Sequence, residues 1–177
     1  VALNPTRMGF LRVLSEMGAV AAVVERGVQA GEPVGDVSVG AAPVRPYDIG
    51  PTIVPQLIDE LPALAVLASR IEGASVVRGA GELRVKESDR LALLAANFAS
   101  LGVRCEESED GLTVFGSRAP LTGSVRTGGD HRIAMAFGAL GSAPDCEIHI
   151  DDPECVNVSF PGFWEALGQV ASAEVAR

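Results

Sequence analysis

The order of sequence patterns along this 177-residue chain is repeated, and the repeat restricts the possible folds more than any other feature. An amphipathic segment that ends at Gly18 is followed by two β-rich runs, and a similar segment that ends at Gly102 is followed by two more. Each half then continues with a second helical segment headed by an acid, and with another strand. The sequence predicts two copies of a helix–strand–strand–helix–strand unit, with apolar helices inside and alternating sheets outside. Chance similarity between amphipathic segments is the alternative.

The periodicity of apolar residues predicts the individual elements. Helical spacing occurs in four segments, Phe10/Val13/Leu14/Met17, Leu64/Leu67/Ala68/Ile71, Leu91/Leu94/Ala95/Phe98 and Ile133/Ala136/Phe137/Leu140. Strands are expected at Ala19–Glu25, Val37–Val39, Ser75–Arg78, Val103–Glu107, Leu112–Phe115 and Cys146–Ile150. Asp110-Gly111 is typical of a hairpin turn, and the apolar stretch Phe160–Val170 predicts a closing helix.

Composition excludes several classes of protein. With 47% hydrophobic residues the chain is expected to form a compact core, and a net charge of −9 argues against nucleic acid or an anionic membrane as a partner. The three cysteines, Cys105, Cys146 and Cys155, lack the spacing of a zinc site or a disulfide framework, which favours reduced thiols and a cytoplasmic location. Nothing in the sequence indicates a metal, an organic cofactor, a membrane span or a signal peptide.

The only lysine in the chain, Lys86, lies in a charged run that also contains Glu87 and Arg90. If this run opens a helix, the three side chains share one face, with a potential proton donor beside two cations that can bind anions. The alternative is a solvated first helical turn with surface ion pairs, each worth about 0–1 kcal/mol.

Two further candidate sites are expected at helix N-termini. Asp130 is a good N-cap, so that His131 and Arg132 lie in the first turn, where free backbone N–H groups favour an anion. A plain cap is the alternative for Asp130, and a surface ion pair is the alternative for Arg132. Asp59 is also expected to be an N-cap, followed by Pro62 in the first turn.

Five motifs resemble enolpyruvylshikimate-phosphate synthase, and they occur in that family's order. They are "NPTRMGFLRVLSEMGA", "DELPALAVLA", "ELRVKESDRL", "GGDHRIAMAF" and "SFPGFWEAL". The similarity covers essentially the whole chain, and the run around Lys86 resembles the glyphosate-tolerant class of the family.

The resemblance implies a transferase that moves the enolpyruvyl group of phosphoenolpyruvate onto shikimate-3-phosphate and releases phosphate, without a metal or a cofactor. It implies that Asp59 and Lys86 contact shikimate-3-phosphate, and that Asp59 is a candidate base for the attacking hydroxyl. It assigns Glu87 to proton transfer at the methylene carbon of phosphoenolpyruvate. Arg90 and Arg132 match residues that bind the carboxylate of this substrate, and His131 matches a neighbouring contact.

The resemblance also implies an α/β (α+β) fold, one half of an inside-out barrel built from repeated βαβαββ units with buried helices and outer sheets. Residues 1–177 would then be one globular half, with units at about 4–80 and 81–177. An N-terminal half, absent from this sequence, would be its partner and supply the other wall of the cleft.

One position departs from the family pattern. Val158 stands where many members carry a lysine before the "SFP" motif, so a contact to phosphoenolpyruvate is missing or comes from elsewhere. Two alternatives to the whole assignment stay open. One is the related transferase that acts on UDP-N-acetylglucosamine, and the other is a non-catalytic module that only binds its missing half.

Overall fold

The computed structural model describes the backbone of residues 1–175, and the side chains up to residue 171 except that of residue 20. The helices are α1 (Gly9–Met17), α2 (Leu61–Ala68), α3 (Arg90–Ser100), α4 (His131–Gly141) and α5 (Phe163–Val175). The strands are β1 (Val20–Gln29), β2 (Glu32–Gly40), β3 (Asp48–Ile49), β4 (Gly73–Val77), β5 (Arg104–Ser108), β6 (Gly111–Gly116), β7 (Leu121–Val125) and β8 (Cys146–Ile150). Short 3₁₀ turns cover Pro5–Arg7, Val54–Gln56, Gly81–Val85 and Pro153–Val158.

All the helices and strands expected from periodicity are present, and the structure adds two strands that the sequence did not indicate. These are β3 and β7, each lying between a hairpin and the next helix. β3 has only two residues, and β7 has Thr122, Gly123 and Ser124 in its interior, so neither shows an apolar alternation. The element order is therefore helix–strand–strand–strand–helix–strand in both parts of the chain.

The strands form three sheets. β1 and β2 pair antiparallel, β7 and β8 pair parallel, and the third sheet has the order β3-β4-β6-β5. This four-stranded sheet takes β3 and β4 from before residue 80 and β5 and β6 from after it, so its elements run β3-α2-β4-α3-β5-β6. That is the βαβαββ order expected from the resemblance.

Glycines end two helices and close one hairpin. Gly18, directly after α1, and Gly102, two residues after α3, adopt left-handed conformations with φ of 96° and 72°. The expected hairpin at Asp110-Gly111 joins β5 to β6, with Ser108 opposite Gly111. A Cβ on Gly111 would lie 2.1 Å from the Val77 carbonyl oxygen, so β4 and β6 approach too closely for any other residue there.

The helices form most of the core, and the sheets cover it. Leu64, Phe98 and Phe137 are completely buried in α2, α3 and α4, whereas β8 leaves alternate residues exposed and β5 exposes all its residues except Cys105. This arrangement confirms a mixed α/β class with buried helices. Among the described residues, no helix is both long enough and apolar enough to cross a membrane.

Candidate active site

The charged residues singled out in the sequence lie at or just before the N-terminal ends of α2, α3 and α4. Asp59 precedes α2 by two residues, Arg90 is the first residue of α3, and His131 and Arg132 are the first two residues of α4. The packing of α2 against α4 and α3 brings these helix ends together although they are far apart in sequence.

The expectation that Lys86, Glu87 and Arg90 all open one helix is wrong. The 3₁₀ turn ends at Val85, Lys86 has an extended backbone, and α3 begins only at Arg90. The reason is the cap: Asp89 accepts a hydrogen bond from the Ala92 N–H at 3.0 Å and thereby fixes the helix start. Lys86 and Glu87 therefore lie in the loop before α3.

The expectation that Asp59 is an N-cap is also wrong. Glu60 occupies the cap position of α2 and makes no capping hydrogen bond, while Pro62 lies in the first turn as expected. Five of the first six residues of α2 are buried in the core, so packing holds the start of this helix without a side-chain cap. The Asp59 carboxylate is thus free to contact side chains.

Arg90 and Asp130 form a fully buried ion pair that joins α3 to α4. Arg90 Nε lies 2.8 Å from Asp130 Oδ2, and Arg90 Nη2 lies 3.3 Å from Asp130 Oδ1. Both residues are 0% exposed. Such a two-point contact fixes the plane of the guanidinium group as well as its position.

Asp130 has two further partners. Its Oδ1 accepts a hydrogen bond from the Arg132 N–H at 2.9 Å, which confirms the expected N-cap, and its Oδ2 accepts one from Ser88 Oγ at 2.9 Å. Burial by itself raises the pKa of Asp130, but the hydrogen bonds from Arg90 and Ser88 and the charge of Arg90 outweigh it and hold this pKa below its ordinary value. Asp130 is therefore more than a cap.

Arg90 also contacts the two candidate proton-transfer groups. Its Nη2 lies 2.5 Å from Glu87 Oε2, on a side chain that is 50% exposed, and its Nη1 lies 3.8 Å from Asp59 Oδ1. Nη1 is buried and has no hydrogen-bond partner among the described residues. One donor of this guanidinium group is therefore available to an anion on the Asp59 side.

Arg132 contacts Asp59 from the other helix. Its Nη2 lies 3.4 Å from Asp59 Oδ2, and its Nη1 donates a hydrogen bond to the Asp59 carbonyl oxygen at 3.1 Å. Its side chain is 33% exposed, so it is neither free on the surface nor closed off from a ligand. Arg132 therefore makes a part-exposed ion pair, and its contact with a ligand stays a prediction.

Arg7 is a member of this cluster that the sequence reasoning did not single out. It ends the first 3₁₀ turn, and its Nη1 lies 3.2 Å from Asp59 Oδ2. A single sequence contains no signal for a pairing across 52 positions. Three guanidinium groups, those of Arg7, Arg90 and Arg132, thus surround the Asp59 carboxylate.

Lys86 and His131 lie at the edge of the cluster. The Lys86 ammonium pairs with Glu82, and His131 is half-buried in the first turn of α4. Among the described residues, no hydrogen bond or ion pair joins either side chain to Arg7, Arg90 or Arg132. We call Arg7, Asp59, Glu87, Arg90, Asp130 and Arg132 the charged cluster.

The charged cluster is chemically suited to a small anion. Guanidinium groups bind carboxylates and phosphates through charge-assisted hydrogen bonds, and the free N–H groups at the start of α4 favour negative charge on the same side. Two carboxylates beside them can accept or deliver a proton. A cavity of about 560 Å³ elsewhere on the protein is lined in part by Arg45, Arg70 and Arg118 and contains none of the cluster residues.

Comparison with known proteins links this geometry to a family. Residues 1–167 match the family model described as EPSP synthase (3-phosphoshikimate 1-carboxyvinyltransferase). The chain is 47% identical to the 3-phosphoshikimate 1-carboxyvinyltransferase of Salinibacter ruber and 46% identical to that of Aquifex aeolicus, over 97% and 96% of its own length. It spans about 40% of the length of these relatives.

Solved structures agree. An EPSP synthase from Acinetobacter baumannii superposes with a TM-score of 0.88 at 37% identity, covering 97% of this chain and 40% of the other. The enolpyruvyl transferase NikO from Streptomyces tendae shares the fold, with a TM-score of 0.65 at 20% identity.

Proposed function

Because this chain belongs to the EPSP synthase family, we propose that it is part of a 3-phosphoshikimate 1-carboxyvinyltransferase. This enzyme of aromatic amino acid biosynthesis would transfer the enolpyruvyl group of phosphoenolpyruvate to shikimate-3-phosphate, giving 5-enolpyruvylshikimate-3-phosphate and phosphate. The chain would supply one wall of the cleft, and a second half of the protein would supply the other.

The observation that carries this proposal is the approach of Arg90 and Arg132 to Asp59. Two guanidinium groups from different helices lie within 3.8 Å and 3.4 Å of one carboxylate, and a second carboxylate, Glu87, touches the first of them. The reaction requires cationic groups to bind an anionic substrate and acidic groups to move protons, and this cluster contains both.

The chemistry assigns a role to each carboxylate. The hydroxyl of shikimate-3-phosphate attacks C2 of phosphoenolpyruvate, and Asp59 accepts its proton while the methylene carbon takes up a proton from Glu87. The C2–O bond of the resulting tetrahedral intermediate then breaks, and the phosphate leaves with the proton that Asp59 held. Glu87 takes a proton back from the methyl group, which restores the double bond and returns both carboxyl groups to their starting states. No net proton or electron is needed from a cofactor.

The remaining residues bind the substrates in this proposal. Arg90 and Arg132 hold the carboxylate of phosphoenolpyruvate, with His131 as a neighbouring contact, and Lys86 holds shikimate-3-phosphate together with Asp59. Lys86 would have to leave Glu82, a surface exchange that costs little because exposed pairs are worth about 0–1 kcal/mol. We further propose that the protein acts in the cytoplasm.

The test is phosphate release from phosphoenolpyruvate and shikimate-3-phosphate by the full-length protein. We expect Arg132→Ala to raise the phosphoenolpyruvate KM, whereas Arg126→Ala, which removes an exposed arginine near the same helix, leaves it unchanged. Glu87→Gln should lower kcat more than it raises either KM. A wild type that releases no phosphate would refute the proposed function, and normal kinetics in both cluster variants would refute the roles given to Arg132 and Glu87.

The division of the site between two halves has its own test. The isolated 177-residue chain should release no phosphate above the level of its Glu87→Gln variant, because the donors of the second wall are needed for the tetrahedral intermediate. Addition of a separately expressed N-terminal half should restore activity. Turnover by the isolated chain would contradict the two-wall arrangement.

A further inference from the structure

The structure assigns a positioning role to Asp130: this carboxylate holds the Arg90 guanidinium group in the orientation that binds the substrate carboxylate. The assignment rests on the proposed function for its substrate, and on the contacts of Asp130 for its mechanism. Asp130 itself would touch no reacting atom. It would affect catalysis indirectly, because it positions Arg90 and, as the cap of α4, also positions Arg132.

The first step in the argument is that Arg90 needs a fixed partner. A guanidinium group at 0% exposure has lost its hydration, and only well-placed anions compensate for this loss. Glu87 is a poor anchor, because its side chain is 50% exposed and lies in the loop before α3. Asp130, at 0% exposure and with two contacts to Arg90, is the rigid partner.

The second step concerns which donors Asp130 engages. Its two oxygens contact Nε and Nη2 of Arg90, so that the edge of the guanidinium plane with Nη1 is directed away from Asp130. That Nη1 has no hydrogen-bond partner among the described residues and lies 3.8 Å from Asp59, on the side where Arg132 also approaches. Asp130 thus selects the donor that remains for a ligand.

The third step is that Asp130 couples three parts of the site. The same carboxylate caps the helix that begins with His131 and Arg132, and it accepts a hydrogen bond from Ser88, next to Glu87 in the loop before α3. One group therefore sets the relative positions of both arginines and of the loop that carries Glu87. A displacement of about 1 Å in such a site can cost on the order of a hundredfold in rate.

A kinetic test separates this role from simple capping. Asn and Ser are both good N-caps, so a capping role alone predicts near-normal kinetics for Asp130→Asn and Asp130→Ser in the full-length protein. We expect instead that both variants raise the phosphoenolpyruvate KM roughly tenfold to a hundredfold, with a smaller change for shikimate-3-phosphate. Asp130→Asn should also add little to the loss caused by Arg90→Lys, because the two changes remove one interaction. Full additivity, or a normal phosphoenolpyruvate KM, would overturn the assignment.

A second measurement does not depend on activity. In ¹⁵N–¹H spectra of this chain, the Arg90 Nε–H signal should exchange slowly with water and should be lost or strongly shifted in Asp130→Asn, while that of Arg12, in an exposed pair with Glu16, stays unchanged. If Asp130→Asn does not fold, Asp130→Glu retains the charge, and its longer side chain should still shift the signal. An unchanged Arg90 signal overturns the assignment, whereas a full-length wild type that releases no phosphate refutes only the proposed function.

Discussion

Two stretches of the chain have the same order of elements but bury their polar groups to different extents. We call residues 9–77 (α1 to β4) the first copy and residues 90–150 (α3 to β8) the second copy. In the first copy neither helix has a side-chain cap, whereas in the second copy Asp89 and Asp130 cap both helices. The second copy also contains the buried Arg90–Asp130 pair.

The hairpins of the two copies also differ in how deeply their apolar side chains are buried. β1 and β2 form a sheet of their own and expose Val23, Val24, Val28 and Val39 by 41–71%. β5 and β6 join a four-stranded sheet, in which Leu112 and Val114 are 4% and 2% exposed. The comparison teaches that a shared element order does not determine where rigidity lies, because rigidity depends on what each element packs against. Four predictions test this difference, and a fifth concerns Val158, which lies outside both copies.

The largest effect is expected at the buried pair of the second copy. Asp130→Ala leaves the Arg90 guanidinium group buried without its partner, which typically costs about 3–5 kcal/mol of unfolding free energy, and it also removes a cap worth about 1 kcal/mol. Urea unfolding of this chain measures the loss. Asp89→Ala is the matched control. It also removes a helix cap, but the ion-pair partner that it leaves behind, Arg84, is part-exposed. Equal losses in both variants would mean that the buried pair contributes nothing beyond capping.

The apolar cores of the two copies can be compared at equivalent positions. Phe98 and Leu14 each lie four residues before the glycine that ends their helical segment, but Phe98 is 0% exposed and packs on Phe137 at 5.6 Å, whereas Leu14 is 8% exposed. We expect Phe98→Ala to lower the unfolding free energy by about 3–5 kcal/mol and Leu14→Ala by about 2–3 kcal/mol. A larger loss for Leu14→Ala would reverse the order of the two copies.

Amide hydrogen exchange should distinguish the two hairpins directly. The β1–β2 hairpin has few buried apolar contacts, so its amides are expected to open locally and to exchange at least on the order of tenfold faster than those of β5–β6. Mass spectrometry of peptides from Val20–Gln29 and Gly111–Gly116 provides the measurement. Equal protection in both peptides would show that the chain unfolds as one cooperative unit.

Acid should weaken the second copy through Asp130. Because its pKa is lowered in the folded protein, the unfolded chain binds more protons as the pH falls below the ordinary value of about 3.9. The stabilisation from this carboxylate is therefore complete above that pH and is lost as the pH falls through the folded-state pKa. The stability difference between wild type and Asp130→Asn, measured by urea unfolding, should shrink with falling pH. A difference that is constant down to the acid transition would contradict the lowered pKa.

The smallest effect is expected at Val158. This side chain is 84% exposed, so it does not pack beneath α5, and Val158→Lys should change the unfolding free energy by less than about 0.5 kcal/mol. Thermal unfolding of the variant checks this expectation. In the full-length protein the added cation should strengthen the binding of phosphoenolpyruvate and of glyphosate together, since both are anions. A marked loss of stability would place Val158 in the core.

Several features of this protein could be predicted from the sequence by itself, since they depend on interactions between near neighbours. Apolar spacing identified the buried faces of α1, α3 and α4, and the two helix-ending glycines and the hairpin turn at Gly111 follow from local backbone preferences. The Asp130 cap, with His131 and Arg132 in the first turn, is of the same kind, because a cap involves residues only two or three positions apart.

The tertiary structure decided the rest, because it depends on pairings that no local pattern encodes. β3 and β7 are strands only because β4 and β8 lie beside them. The charge spacing of the run around Lys86 predicts a helix that already includes Lys86, whereas α3 begins at Arg90. The local pattern predicts a cap at Asp59, but its partners Arg7 and Arg132 lie 52 and 73 positions away. Arg90 and Asp130, 40 positions apart, likewise meet only when α3 and α4 pack, and their charges are buried as a pair because neither could be buried alone.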